Sequence, residues 1–137
     1  MNESNGHLMQ RVFDEIMTRG NVDAIDQLFA CGFTGHDTSG GTFGREEFRE
    51  GVLAMLAAFA DRQVVLADQL IDGDKVATRW IATGVHSGVF NGIPATGRHI
   101  SLTGISIDRI AGGKIAESWE VTDDAGLLRQ LGVLPSA

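Results

Sequence analysis

Near the end of the chain, Ile115, Glu117, Trp119, Val121 and Asp123 follow one another at every second position. In a strand this spacing projects all five to one face, so Trp119 and Asp123 would share a surface. Pairing Ala111 with Lys114 across Gly112-Gly113 would place Ser106 opposite Trp119 and Leu102 opposite Asp123. A carboxyl on an apolar, partly enclosed face has its charged form disfavoured. Its pKa rises, and it becomes suited to moving protons near neutral pH. A purely structural use competes: Asp123 and Asp124 stand where a strand meets a helix, and aspartate is a favoured N-cap there. Asp124 could cap and leave Asp123 free. Ser118, Glu120 and Thr122 would alternate on the opposite face, where a polar row argues against a large dry interface.

Other side chains could assist. His36 and Asp37 follow the second helix in a loop, and His86 ends an apolar strand beside Gly84 and Gly88. Either imidazole could donate to a carbonyl oxygen or exchange a proton, although a structural hydrogen bond is the commoner use of a lone histidine. His7 and His99 are less well placed. Arg79 sits between apolar neighbours in a strand, which is costly unless it meets a carboxylate such as Glu117 or Asp123, or lines a wet cavity. Trp119 is either core or the wall of a binding site.

Several chemistries lack their residues. No H-x-x-x-H, H-E-x-x-H or paired cysteines occur, so no metal is expected. No G-x-S-x-G nucleophile turn is present, and neither Gly40-Gly41 nor Gly112-Gly113 has the context of a phosphate loop, so no nucleotide cofactor is expected either. With no tyrosine in the sequence, an oxyanion hole built on a phenol is excluded.

The elements that must position these residues follow from periodicity. Leu8, Met9, Val12, Phe13, Ile16 and Met17 predict a first helix that Gly20 can end. Asn21 can cap a second helix with Val22, Ile25, Leu28 and Phe29 as its stripe, and 34–44 reads as a loop. Glu46 and Glu47 open a third helix whose core side is Phe48, Val52, Met55, Leu56 and Phe59. From Gln63 the period becomes two. Strands over 63–71 and 75–87 meet at Asp72-Gly73, 88–97 is a connection, and strands over 98–111 and 114–122 meet at Gly112-Gly113. A short helix over 125–131 closes the chain. The order predicts an α+β fold, with helices against one face of a mostly antiparallel sheet that can enclose a pocket.

Length and charge narrow the partners. The 137 residues fit a single domain, and a net charge of −7 repels nucleic acid and anionic membranes. The longest apolar run, 52–60, is far short of a bilayer span, and 1–10 lacks the pattern of a secretory signal. Cys31 is the only cysteine, so no intrachain disulfide can form and a cytoplasmic setting is expected.

Taken in order, Gly73-Asp74-Lys75-Val76-Ala77, Arg79, Gly84, His86-Ser87-Gly88-Val89-Phe90, Gly92-Ile93-Pro94-Ala95-Thr96-Gly97-Arg98, Gly113-Lys114-Ile115, Glu117, Trp119 and Asp123 resemble the SnoaL-like polyketide cyclases, also called ester cyclases. Gly20-Asn21, Phe33 with His36, and the stretch 127–132 fit as well, so the resemblance covers about 12–132. It implies the cone-shaped α+β fold of the nuclear transport factor 2 superfamily, with a curved sheet and helices enclosing a cavity. It also implies that Asp123 is the acid and base of a metal- and cofactor-free intramolecular aldol closure on a polyketide-derived ester. His36 and His86 would then donate to developing oxyanions, and Trp119, Phe13 and Met17 would wall the substrate. A homodimer is expected. The alternatives are a non-catalytic small-molecule-binding domain of the same fold, in which Trp119 and Arg79 hold a small apolar acid and Asp123 only caps, and a hydrolase or isomerase of the same superfamily.

Overall fold

The computed structural model describes residues 4–135. Ser4 caps the first helix by accepting from the backbone N–H of His7. Helix α1 (Asn5–Arg11) runs on into a π-helical stretch, Val12–Thr18. Leu8, Met9, Val12, Phe13 and Ile16 are buried, as their spacing predicts. Thr18 then ties this helix to the sheet, its Oγ1 accepting from the backbone N–H of Val64 at 2.9 Å.

The second helix is shorter than the apolar stripe suggests: a 3-10 turn (Val22–Ala24) and α2 (Ile25–Leu28) give way at Phe29 to strand β1 (Phe29–His36). Phe29 and Phe33 fit a helical spacing, yet they pack edge to face with ring centroids 4.9 Å apart, and Phe48 of the third helix lies 4.7 Å from Phe29. Tertiary aromatic packing thus overrides the local periodicity. The expected 34–44 loop holds the end of β1 and a short β2 (Thr42–Phe43). Asp37 turns the chain between them, its Oδ1 accepting from the backbone N–H groups of Ser39 and Gly41.

Helix α3 (Arg45–Ala58) leads without a linker into β3 (Phe59–Asp72), followed by β4 (Lys75–His86), β5 (His99–Ala111), β6 (Lys114–Thr122) and α4 (Asp124–Gln130). The six strands form one curved, unclosed sheet in the order β2-β1-β6-β5-β4-β3. Every pairing is antiparallel except β1 with β6, which is parallel. The helices cover one face, where Val76, Trp80, Ile100, Leu102 and Ile110 join Leu8, Phe13 and Ile16 in the core. Among the described residues no helix is long and apolar enough to cross a membrane.

One irregularity decides which side chains face inward. Gly112 and Gly113 both have positive φ (59° and 75°), as a tight hairpin turn requires, and Ala111 pairs with Lys114 as the sequence predicts. Ile110 then pairs with Ile115, but Arg109 pairs with Glu117, which leaves Ala116 as an extra residue on β6. A bulge of one residue reverses the alternation beyond it. Ile115 is buried, while Glu117, Trp119 and Val121 turn to the outer face opposite Arg109, Ile107 and Ile105. Ser118, Glu120 and Thr122 turn inward opposite Asp108, Ser106 and Gly104. The expected partner of Trp119, Ser106, therefore faces Glu120 instead.

Candidate functional site

The inner face of β5 and β6 carries a polar patch within an otherwise apolar surface. Asp108 is only 4% exposed, and Ser106 Oγ donates to its Oδ2 at 3.1 Å. Burial pushes the Asp108 carboxyl up to about 6, against the opposing effect of hydrogen bonds from Ser118 and Ser106. Glu120 stands beside it and lines a pocket of about 440 Å³ with His36, Asp37, Phe43, Thr122 and Asp124. Glu120 is exposed to solvent at the pocket mouth. Desolvation first, then the nearby Asp108 and Asp124 charges, push its carboxyl up to about 7. Among the described residues no lysine or arginine lines this pocket to offset them.

Two polar groups on the same inner face stand idle. Thr78 pairs with Ser106 and Trp80 with Gly104 across β4 and β5, both side chains are buried, and Thr78 Oγ1 and Trp80 Nε1 have no hydrogen-bond partner among the described residues. The Trp80 ring lies so close to Gly104 that a Cβ there would come within 2.3 Å of it. Buried donors left unpaired are costly, and such groups mark where a water or a ligand oxygen completes the structure.

Asp123 is exposed and caps α4, its Oδ1 accepting from the backbone N–H of Gly126 at 3.0 Å. Asp124, the other candidate cap, instead accepts from Thr122 Oγ1 at 2.6 Å. Asp123 and Arg79 line one groove of about 430 Å³ on the outer face, with Thr103, Ile105 and Val121. The ion pair of Arg79 is with Asp68 on β3, at 3.8 Å, rather than with Glu117 or Asp123.

His36 and Trp119 do meet, their rings stacked at 5.2 Å between centroids and 5° between planes. His36 Nε2 lies 2.7 Å from Glu117 Oε2, and Arg109 Nε donates to the other Glu117 oxygen at 3.2 Å. The His36 hydrogen bond, then Arg109, holds the Glu117 carboxyl below its ordinary range.

His86 is fully buried against Phe59, with ring centroids 5.5 Å apart. Its Nδ1 accepts from the backbone N–H of Thr96 at 3.2 Å, which assigns the proton of a neutral ring to Nε2, and Nε2 has no partner. Phe13 lies in the core and Met17 packs partly buried against it. Thus His36 borders the inner pocket, Asp123 borders the outer groove, and His86 borders neither. Strict alternation through β6 had assigned Glu120 to the wrong face. Asp108 did carry a signal, since it shares the parity of Ile100, Leu102 and Ile110 in the preceding strand. Among the described residues no three His, Cys, Asp or Glu side chains gather as a metal site.

The sequence matches the SnoaL-like polyketide cyclase family over residues 7–131. The chain belongs to that family. Solved structures agree with this placement. IdmH of Streptomyces antibioticus, a proposed polyketide cyclase, is 28% identical, with 96% of this chain and 100% of that chain covered at a TM-score of 0.85. TsrD of Streptomyces laurentii is 29% identical over 94% of this chain and 95% of that chain, at a TM-score of 0.84. AclR of Streptomyces galilaeus, a proposed hydroxylase, shares the fold at a TM-score of 0.88 and 24% identity, covering 96% of this chain and 83% of its own. No curated protein matches the sequence. Within the SnoaL-like fold of this chain, the inner carboxyls and the unpaired donors of β4 occupy the same face of the curved sheet.

Proposed function

We propose that this SnoaL-like protein is a cyclase that closes a ring in a small apolar, polyketide-like ester by an intramolecular aldol-type step, with Glu120 as acid and base. The observation that carries this reading is the Glu120 side chain, turned by the β6 bulge onto the inner face, where it lines a pocket that solvent can enter. Desolvation and the nearby Asp108 and Asp124 charges raise this carboxyl, which favours its use as a proton carrier. Its ionised form takes the proton from the carbon α to the ester carbonyl. That carbon then bonds to a second carbonyl carbon of the same molecule, and Glu120 returns the proton to the new alkoxide oxygen. Atoms and charge balance within substrate and protein, without a redox change.

Thr78 Oγ–H and Trp80 Nε1–H, unpaired and buried on the same face outside the pocket lining, supply donors to a substrate oxygen that extends past the pocket. Phe43 adds an apolar wall to the pocket and is backed by Phe33, whose ring centroid lies 6.1 Å away; Phe13 and Met17 lie in the core outside the pocket lining. The acid–base role that the family resemblance implies for Asp123 passes to Glu120, because the Asp123 carboxylate is engaged on Gly126 and lies over the outer groove. The experiment is deuterium exchange at the α carbon of an aryl β-keto ester in D2O, followed by NMR. The protein should accelerate exchange and Glu120→Gln should lose the acceleration, whereas equal rates would remove Glu120 from the chemistry.

A second reading concerns the outer face, where Val65, Leu70, Ile105, Ile107, Trp119 and Val121 are exposed together. The charges among them are paired, Arg79 with Asp68 and Arg109 with Glu117. Apolar patches of this extent mark association surfaces, and a two-fold axis lets one such face cover its own copy. The protein then works as a homodimer, in the cytoplasm.

A further inference from the structure

His36 ends β1, where its ring meets Glu117 of the outer face and also lines the pocket that holds Glu120. The ring is held on two sides. It pairs along the ladder with Trp119 and stacks on that indole at 5.2 Å between centroids, and its Nε2 lies 2.7 Å from Glu117 Oε2. Arg109 Nε donates to Glu117 Oε1 at 3.2 Å, so the carboxylate facing Nε2 is ionised and can only accept. The ring proton is therefore on Nε2, and Nδ1 is the bare nitrogen of the neutral ring. Among the described residues Nδ1 has no hydrogen-bond partner. Trp119 covers one face of the ring and Glu117 takes the Nε2 edge, which leaves the Nδ1 edge and the other face to the pocket. The nearest polar neighbours in the chain are engaged: Asp37 Oδ1 accepts from Ser39 and Gly41, and Thr38 Oγ1 donates to the Glu120 carbonyl at 3.4 Å.

We propose that His36 is a specificity-determining residue of this pocket: its Nδ1, kept bare by the Glu117 hydrogen bond on the far side of the ring, accepts a hydrogen bond from a hydroxyl group of the substrate. Glu117 does not touch substrate; it is a positioning residue that fixes the tautomer. The substrate class narrows accordingly to an aryl keto ester that carries a phenol or enol hydroxyl. A methoxyl in the same place brings no proton and leaves Nδ1 unpaired, and a site built to accept from an O–H discriminates against such an analogue. The proposal rests on the reading of this pocket as the substrate site, not on the part Glu120 plays in it.

The test reads binding rather than turnover, with the full chain at pH 8. The probes are the ortho, meta and para hydroxyphenyl β-keto methyl esters and their methoxy counterparts, with Kd taken from NMR titrations. A hydroxy isomer should bind the wild type roughly fivefold tighter than its methoxy counterpart, the worth of one net hydrogen bond. Long-range proton–nitrogen correlation should place the His36 proton on Nε2. His36→Phe keeps an aromatic ring against Trp119 and removes both nitrogens, so the hydroxy preference should vanish. Glu117→Gln lets the ring take either tautomer, so the preference should shrink and the correlation should show both forms. A wild-type proton on Nδ1, equal binding of every hydroxy and methoxy pair, or a preference that survives His36→Phe overturns the proposal. A preference unmoved in Glu117→Gln overturns the role of Glu117. If the preference holds while Glu120→Gln keeps α-proton exchange, Glu120 loses its role and His36 retains its own; a wild type that binds none of the probes overturns both.

Discussion

Trp119 lies opposite Ile107 in the β5–β6 ladder, and the next residue, Glu120, therefore lies opposite Ser106. That offset comes from Ala116, the unpaired residue of the bulge. One extra residue turns the tryptophan to the outer face and the glutamate to the inner one. Bulges commonly re-aim side chains beside functional sites, and here the bulge turns a carboxyl to the inner face and apolar side chains to the outer one.

The first prediction separates Glu120 from Asp123. Asparagine caps a helix nearly as well as aspartate, so Asp123→Asn should cost a few tenths of a kcal/mol and Asp123→Ala about 1 kcal/mol. Asp123→Asn should keep α-proton exchange, and Glu120→Gln should lose it. Loss of exchange in a folded Asp123→Asn would return the acid–base role to Asp123.

Much of the fold was legible because its signals are local: apolar spacing of three and four in 8–17, alternation through β4 and β5, and glycines at the Gly112-Gly113 turn. Strand β1 was not legible. Phe29 and Phe33 satisfy a helical spacing, and what makes them a strand is the parallel partner β6, more than eighty residues away. The site was lost for a related reason. A bulge leaves no mark in composition, and strict alternation applied through Ala116 sends Glu120 to the outer face. The hydrogen bond from Gly126 to Asp123 is, by contrast, the helix cap that its position next to a helix allowed.

The second prediction is a fall in stability as pH rises. Burial raises the Asp108 carboxyl to about 6 in the folded chain against 3.8 ordinarily, so the unfolded chain gives up this proton first. Stability is then lost as pH rises between those values, by an amount on the order of 3 kcal/mol for this group. Glu120 extends the loss toward 7. Glu117 and Asp37 act in the opposite sense, since their lowered values add stability that disappears only on acidification below the ordinary carboxylate range. Urea midpoints should be higher at pH 5 than at pH 8, and Asp108→Asn should flatten that difference. Equal slopes in the two proteins would contradict the burial of Asp108.

A third prediction concerns Gly104. Its alanine variant would place a Cβ within 2.3 Å of the Trp80 ring, so the ring must move. Overpacking of this kind costs about 1–3 kcal/mol, read as a lower urea midpoint. Because Trp80 Nε1 is one of the unpaired donors, exchange should slow as well. Trp80→Phe keeps the bulk and removes the N–H, and it should reproduce the slower exchange with little of the stability loss. If Trp80→Phe exchanges at the wild-type rate, the indole makes no contact with the developing charge.

The last prediction tests the outer face. Val121 and Ile105 are 60% and 54% exposed and oppose one another across β6 and β5, in the middle of the apolar patch. If two copies meet there, a lysine at each position puts cations where both partners must shed water, and the desolvation cost falls on both subunits at once. Sedimentation should show a dimer for the wild type at micromolar concentration and a monomer for Val121→Lys/Ile105→Lys. Neither residue contributes to the inner pocket, so the monomeric variant should keep α-proton exchange per chain. A wild type that sediments as a monomer would end the dimer reading. A monomeric variant without exchange would show that the inner site depends on the second copy.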